Sequence, residues 1–407
     1  MSKSGFHQLH SLKEALEILY SISTPVQETE FSLDQALNKI CSRDINAPIA
    51  VPSFSKSAMD GYAVLSSDTY YASPTRPIAL ELIGEILPGE DTKQVISTGQ
   101  CIEIATGAKV PEGADGIVMV EHTEKEGTQV KVFSSTAPGH HIIQAGSDIS
   151  KNQLVVKKGT RLTARHTSLL SGLGMEKIHC FQGLVVAVAS TGNEIVRPPN
   201  PLASAQSYDI NARALIDSIR EYGCVAKDFG VIVDEAKEIE KTILEMVKQA
   251  DIVVISGGSS LGTKDLILEQ INKIGQVLVH GIAVKPGKPT LIGKIQDKLI
   301  LGLPGHPASA LSNFFILIKP YLDFLFQVHT SITPFIDARL TCKIASTIGR
   351  FEFIPVQVQE CDSEFLALPQ LKGSSAISPM MNSDGYIKIN ENIEVLDKNT
   401  LVRVFLF

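Results

Sequence analysis

The chain has 407 residues, 44% hydrophobic and 20% charged, with a formal net charge of -7. That length suits about two to four domains with their own buried cores, and the proportions are ordinary for a globular protein. The negative balance argues against nonspecific nucleic-acid binding, which works through phosphate neutralisation by a basic surface, so an anionic ligand needs a local pocket that overcomes the overall field.

The first residues, MSKSGFHQLHSLKEALEIL, show no apolar core followed by a small-residue cleavage site, and no signal peptide is expected. No run approaches the ~20 apolar residues of a membrane-spanning helix. The longest apolar stretch, Leu311 to Phe326, is interrupted by Ser312, Asn313, Lys319, Pro320 and Asp323. Cys41, Cys101, Cys180, Cys224, Cys342 and Cys361 form no CxxC pair. The expectation is therefore no zinc site, no disulfide framework, a reducing cytoplasm, and thiols that act as small core residues.

In chain order, two amphipathic helices are expected first. Leu9, Leu12, Leu16 and Leu19 recur at helical spacing, and Ser32-x-x-Gln35 has the form of a capping box ahead of Leu33, Leu37 and Ile40. From Ala47 to about Gly146 short β-like runs, such as 79–83, 101–105 and 116–120, alternate with Pro, Gly and Asp-Gly turns. A short helical segment, Ala164 to Leu173, follows. Residues 47–146 thus read as a β domain inserted into a helical one made of 1–46 and 147–180.

From Leu184 the texture changes. The apolar strand LVVAVA leads through the turn Thr191-Gly192-Asn193-Glu194 to a helix from Asn211 to Tyr222, with Gly223 as its stop. A strand around Val231 leads to a helix that Asp234 would cap, with Ile239, Ile243 and Val247 on one face. DIVVIS is a continuous apolar strand joined by GGSSLGTKD to a helix from Leu266 to Ile274; KLILGL is another, joined by PGHP to a long helix from Pro307. Apolar strands alternating with helices predict a parallel, doubly wound sheet over 181–329, with a small β domain in 330–407. The fold class is α/β with β-rich accessory domains.

Ligands of such sheets collect where strands turn into helices. Three such turns carry glycine or proline: Thr191–Glu194, the segment Gly257-Gly258-Ser259-Ser260-Leu261-Gly262, and Pro304-Gly305-His306-Pro307. Glycine admits close backbone approach, and free N–H groups at a helix start favour phosphate; one such turn alone is weak evidence, because tight turns use glycine for sterics. Lys285 and Lys288 lie on Val284-Lys285-Pro286-Gly287-Lys288-Pro289, where the prolines restrict the backbone; this reads either as a solvated turn or as an oxyanion-binding loop. Asp234 and Asp265 stand at helix N-termini and read as caps, or as Mg²⁺ ligands if phosphates are near. Glu194 has no comparable capping explanation. Ser57-Ala58-Met59-Asp60-Gly61-Tyr62-Ala63 reads as a site or as a hairpin turn around Asp60-Gly61, and Ala105-Thr106-Gly107-Ala108 is equally open. Residue chemistry alone leads to a polyanion-binding α/β domain with Mg²⁺, flanked by β domains.

PSFSKSAMDGYAV, ATGAKVPEGADGIVMVE, STGNEIV, SGGSSLGTKD, VKPGKP and GLPGHPASAL stand in the order and approximate spacing of the molybdopterin molybdenumtransferase family, the bacterial MoeA type also found as the E domain of gephyrin. The resemblance covers nearly the whole chain. It implies an elongated four-domain subunit, a homodimer, adenylyl-molybdopterin and molybdate as substrates, Mg²⁺, and release of adenylate; a molybdopterin adenylyltransferase is a candidate partner. By the same resemblance Asp60, Glu194 and Asp265 are catalytic, with Asp60 reaching the site from a partner subunit. Thr106, Gly257, Gly258, Ser259, Lys285, Lys288, Pro304, Gly305, Pro307, Arg350 and Ser374 would bind substrate, and Asp234 and Asp265 would hold Mg²⁺. The sequence departs from the family at His306, Asn193, Gln144 and Pro355, where Asn, Asp, Arg and Arg are frequent. Two rivals compete: a molybdopterin adenylyltransferase, which needs little beyond the one α/β domain, and a noncatalytic scaffold.

Overall fold

The structure, a computed structural model, describes residues 9–257, 266–328, 333–361 and 364–407. The first helix, Leu12–Ser21, opens on a complete capping box: the Ser11 hydroxyl accepts the Glu14 N–H at 3.2 Å, and the Glu14 carboxylate accepts the Ser11 N–H at 2.8 Å. The second expected helix does not form. Glu28–Ser32 is a strand paired antiparallel with Lys177–Phe181, and only a 3-10 turn, Leu33–Gln35, follows. Ser32 makes no side-chain cap, and Asn38 at φ 66° turns the chain out of any helical path. Pairing with a distant strand overrides the local pattern.

Two compact units are built from interleaved segments. The larger comprises Met1–Ser42, Lys158–Thr163 and Lys177–Phe407. Its α/β sheet runs Val225–Ile232, Val185–Thr191, Ile252–Ser256, Lys298–Leu303, Leu291–Ile295, Gln276–His280. The first four strands are parallel, but Leu291–Ile295 runs antiparallel to Lys298–Leu303 and Gln276–His280 antiparallel to Leu291–Ile295, so one strand of the six is reversed, which corrects the expectation of a parallel sheet. The cause is the tight Gln296-Asp297 turn, both residues at positive φ (50° and 63°), which reverses the chain without a crossover helix. Along Val185–Thr191, Val186 and Val188 enter one core while Ala187 and Ala189 enter the other. The sheet is therefore covered on both faces, as its continuous apolar strands require.

Helix Asn211–Tyr222 ends at Gly223, φ 104°, whose N–H returns to the last turn. Helix Ala236–Gln249 starts after Glu235 with no side-chain cap, so Asp234 is not the cap it was expected to be. The long helix from Pro307 is composite: Pro307–Asn313, a π turn Phe314–Ile318, then Lys319–Leu325. Pro320 brings no N–H, and a π turn is one way a helix accommodates the lost ladder bond. In the C-terminal part, Phe351–Cys361, Glu364–Pro369, Phe335–Leu340, Leu401–Leu406 and Gly385–Ile389 pair in a closed ring, with Val284–Lys285 added against Phe351–Cys361. Leu340, Val356, Ala367, Ile387 and Val404 form its core.

The smaller unit, Arg43–Lys157 and Ala164–Glu176, carries a sheet in the order Gly116–Met119, Gly61–Val64, Gln100–Ile104, Ile78–Ile86, Gln129–Val132, Thr123–Glu126. Tyr62 and Val64 pack on one side and Ala63 on the other. Helix Ala164–Gly172 is followed by Leu173, which is buried with Ala47 and Ile149. Cys41, Cys101, Cys180 and Cys224 are buried, whereas Cys342 is half-buried and Cys361 exposed, contrary to the expectation that all six are core residues. Burial pushes the thiols of Cys101, Cys180 and Cys224 up to about 12. Among the described residues, no helix is long and apolar enough to cross a membrane.

Candidate functional site

A cleft of about 1260 Å³ lies in the larger unit. Three parallel strands end at it, in Thr191, Ser256 and Leu303, so it sits at the carboxyl edge of the sheet. It gathers ten of the expected site residues: Glu194, Asp234, Gly257, Lys285, Lys288, Pro304, Gly305, Pro307, Arg350 and Ser374. Asp60 and Thr106 belong to the smaller unit. Gly258, Ser259 and Asp265 lie outside the described residues.

The carboxylate side is built by the turn after Val185–Thr191. Thr191 Oγ1 donates to Asp234 Oδ1 at 2.8 Å, and the Asp234 N–H reaches Asn193 Oδ1 at 3.2 Å. Asp234 therefore faces the turn of the neighbouring strand rather than its own helix. Asn193, one of the four expected departures, serves as an acceptor here. Gly257 is required by geometry: its φ is 101°, and a Cβ there would stand 2.3 Å from the Thr191 carbonyl oxygen. Asn211 ties two turns together, its Nδ2 donating to Ser256 Oγ at 2.9 Å and to the Gly305 carbonyl at 2.8 Å. Asp209 accepts from Ser190 Oγ and from Arg197 Nε, both at 2.8 Å, while Arg197 Nη1 reaches both oxygens of Asp228 at 2.7 Å.

The cationic side rests on Val284–Lys285. Lys285 Nζ donates to Glu352 Oε1 at 3.0 Å. Gly287, φ 114°, passes over the buried amide of Asn313, whose Nδ2 donates to Thr290 Oγ1 at 3.0 Å; that hydroxyl donates to the Gly287 carbonyl at 2.7 Å. The loop is held from below rather than solvated on all sides. Arg350, Lys372 and the half-buried Lys288 add charge to the same cleft. His306 precedes helix Pro307–Asn313 without capping it; instead its Nδ1 lies 3.0 Å from Ser374 Oγ, and the Ala308 N–H reaches the Ser374 carbonyl. Pro355 also lines the cleft, while Gln144 accepts from Ser55 Oγ in the smaller unit.

In the smaller unit, Asp60 Oδ1 accepts the Thr106 N–H at 2.7 Å and its hydroxyl at 2.8 Å. These bonds, the backbone one foremost, hold the Asp60 carboxyl below its ordinary range. The hairpin-turn reading of Asp60-Gly61 is not what forms. Gly61 opens a central strand, and a Cβ there would meet the Val118 carbonyl oxygen at 2.0 Å. Among the described residues, no group of three His, Cys, Asp or Glu is placed to hold a metal ion.

Asp209, Arg197, Asn211, Glu352 and Lys372 also shape the cleft, although none stands among the expected site residues. Asn211 was readable as the start of a helix on the ligand edge. Glu352 carried no such signal, because it meets Lys285 only through a strand pairing 67 residues away.

A mixed α/β sheet with a cleft at the strand ends, in a chain that also carries two β-rich sheets, defines the class. Family models match most of the chain: the MoeA N-terminal region (domain I and II) at residues 10–174, a probable molybdopterin binding domain at 187–323, and the MoeA C-terminal region (domain IV) at 337–407. The molybdopterin molybdenumtransferase of Haemophilus influenzae is 35% identical over 339 residues, 83% of each chain. That of Bacillus subtilis is 29% identical over 93% of this chain and 90% of its own. A molybdopterin biosynthesis MoeA protein from Pyrococcus horikosii superposes with a TM-score of 0.88 at 40% identity, covering 98% of this chain and 99% of its own. The chain belongs to the molybdopterin molybdenumtransferase family, the MoeA type.

Proposed function

We propose that this chain inserts molybdenum from molybdate into adenylyl-molybdopterin, releasing AMP and giving the molybdenum cofactor. The observation that carries the reading is one cleft that gathers Lys285, Lys288 and Arg350 together with Glu194 and Asp234. The cations neutralise phosphate and molybdate oxygens, and the glycine turns let backbone N–H groups approach them. Glu194 and Asp234 offer hard carboxylate oxygens. That set fits Mg²⁺, which takes one or two carboxylates and completes its shell with phosphates and water. Asp265 is the further proposed ligand and catalytic carboxylate, with Asp60 and Glu194. Bound Mg²⁺ supplies charge neutralisation on the phosphates.

The reading includes a homodimer in which the Asp60–Thr106 pair of one subunit completes the cleft of the other. Sedimentation at micromolar concentration is expected to give about twice 44.0 kDa, and a strict monomer would sink the shared site. It also includes a cytoplasmic setting, a molybdopterin adenylyltransferase as upstream partner, and four domains at 1–46 with 147–180, 47–146, 181–329 and 330–407. Support for the division is that each of the three six-stranded sheets has its main strands in a different one of them.

Incubation with adenylyl-molybdopterin, Mg²⁺ and molybdate tests the function. AMP release that depends on molybdate is expected, strongly reduced in Asp265→Asn while that variant melts and dimerises normally. No release from the parent favours a scaffold; formation of adenylyl-molybdopterin from ATP and molybdopterin favours an adenylyltransferase.

A further inference from the structure

We propose that Glu352 is a positioning residue that holds the Lys285 ammonium at one place in the cleft, ready for an oxyanion of the substrate. The inference rests on the proposed function, because the oxyanion is a phosphate or molybdate.

Val284–Lys285 pairs in parallel with the start of Phe351–Cys361, which sets Lys285 in register with Glu352. Lys285 Nζ donates to Glu352 Oε1 at 3.0 Å, and the same oxygen accepts the Thr347 N–H at 2.7 Å. Burial of the pair is unequal: the Glu352 side chain is 3% exposed and that of Lys285 48%. A buried carboxylate anchored to backbone does not follow a mobile lysine, so the lysine is the partner that is placed. An ammonium has three donors, and the bond to Glu352 leaves two for a ligand. A lysine free in solvent surrenders its rotamer freedom when an anion binds; here the ion pair has already restricted it. Arg350 lies two residues earlier on the same segment and lines the same cleft, so the buried carboxylate sits among cations that the anion would meet.

Calorimetric titration with molybdate and with AMP tests this, in Glu352→Ala, Glu352→Gln, Lys285→Ala and the Glu352→Ala/Lys285→Ala double variant. Glu352→Ala is expected to weaken binding about tenfold or more, the loss typical of a charge-assisted hydrogen bond. Glu352→Gln keeps an oxygen able to accept both hydrogen bonds and recovers most of that loss. In the Lys285→Ala background, Glu352→Ala should cost nothing further, since a residue acting through another is non-additive with it. A second measurement needs no ligand: the ¹H–¹⁵N resonance of the Lys285 ammonium, assigned by its loss in Lys285→Ala. A persistent hydrogen bond slows its exchange with water. The signal is expected in the parent and in Glu352→Gln and should vanish in Glu352→Ala. Additive losses, or a signal that survives in Glu352→Ala, overturn the inference while the function stands. A parent that binds neither probe overturns the proposed function and the anion-facing role with it.

Discussion

Lys285→Ala is expected to weaken adenylylated pterin by about 1.5–3 kcal/mol, the value of one hydrogen bond to a charged group. Lys285 is half-exposed at the cleft, and its loop is propped by Thr290 and the buried Asn313, so it presents its charge from a fixed backbone. The substitution has a second consequence. It strips Glu352, 3% exposed, of its cation, and breaking a buried pair commonly costs about 3–5 kcal/mol. With one partner in solvent the expected loss is smaller, about 1–2 kcal/mol, because much of the pair's field is already screened. Calorimetric titration and denaturant midpoints separate the two effects. Unchanged affinity in a folded variant would leave Lys285 a structural partner of Glu352 alone and move the phosphate site elsewhere.

Gly257→Ala is expected to destabilise the larger unit by about 2–5 kcal/mol, the sum of left-handed strain on a non-glycine residue and of overpacking. Both terms apply because φ is 101° and the added Cβ would lie 2.3 Å from a backbone oxygen, that of Thr191. A flexible side chain could swing away; a strand paired on both sides cannot. Relief requires Thr191 to move, and its hydroxyl is the donor to Asp234. The variant should therefore lose affinity for an adenylylated ligand as well as stability, even though residue 257 gains only a methyl group. Thermal melting and ligand titration check this together. A variant with parental melting would mean that the turn relaxes freely, and Gly257 would then be dispensable.

The four positions at which the sequence was expected to depart from the family pattern separate by location. His306, Asn193 and Pro355 stand at or beside the cleft, and two of them have taken on local roles: His306 against Ser374, and Asn193 under the Asp234 N–H. Each of those roles is a hydrogen bond that orders a turn. Gln144 acts elsewhere, accepting from Ser55.

Much was legible in the residues alone. Continuous apolar strands alternating with amphipathic helices announced a sheet covered on both faces, since nothing else buries such strands. Gly223 marked the end of a helix because only glycine takes φ 104° cheaply. The glycine and proline turns on the ligand edge, with Lys285 and Lys288, were readable because each is a local feature of a few residues. The failures share one physical cause, which is that partners far apart in sequence decide between local alternatives of nearly equal energy. Ser32 to Ile40 had a helical pattern, yet the strand Lys177–Phe181 drew Glu28–Ser32 into a sheet. Asp234 had a capping position, yet Thr191, 43 residues away, took its carboxylate. Asp60-Gly61 had the form of a hairpin turn, yet strands on both sides made Gly61 a close-approach site and left Asp60 to Thr106. Glu352 became part of the cleft only because a two-residue strand docks in register beside it. Composition and periodicity determine which surfaces must be buried; only the tertiary pairing decides which polar groups meet once they are.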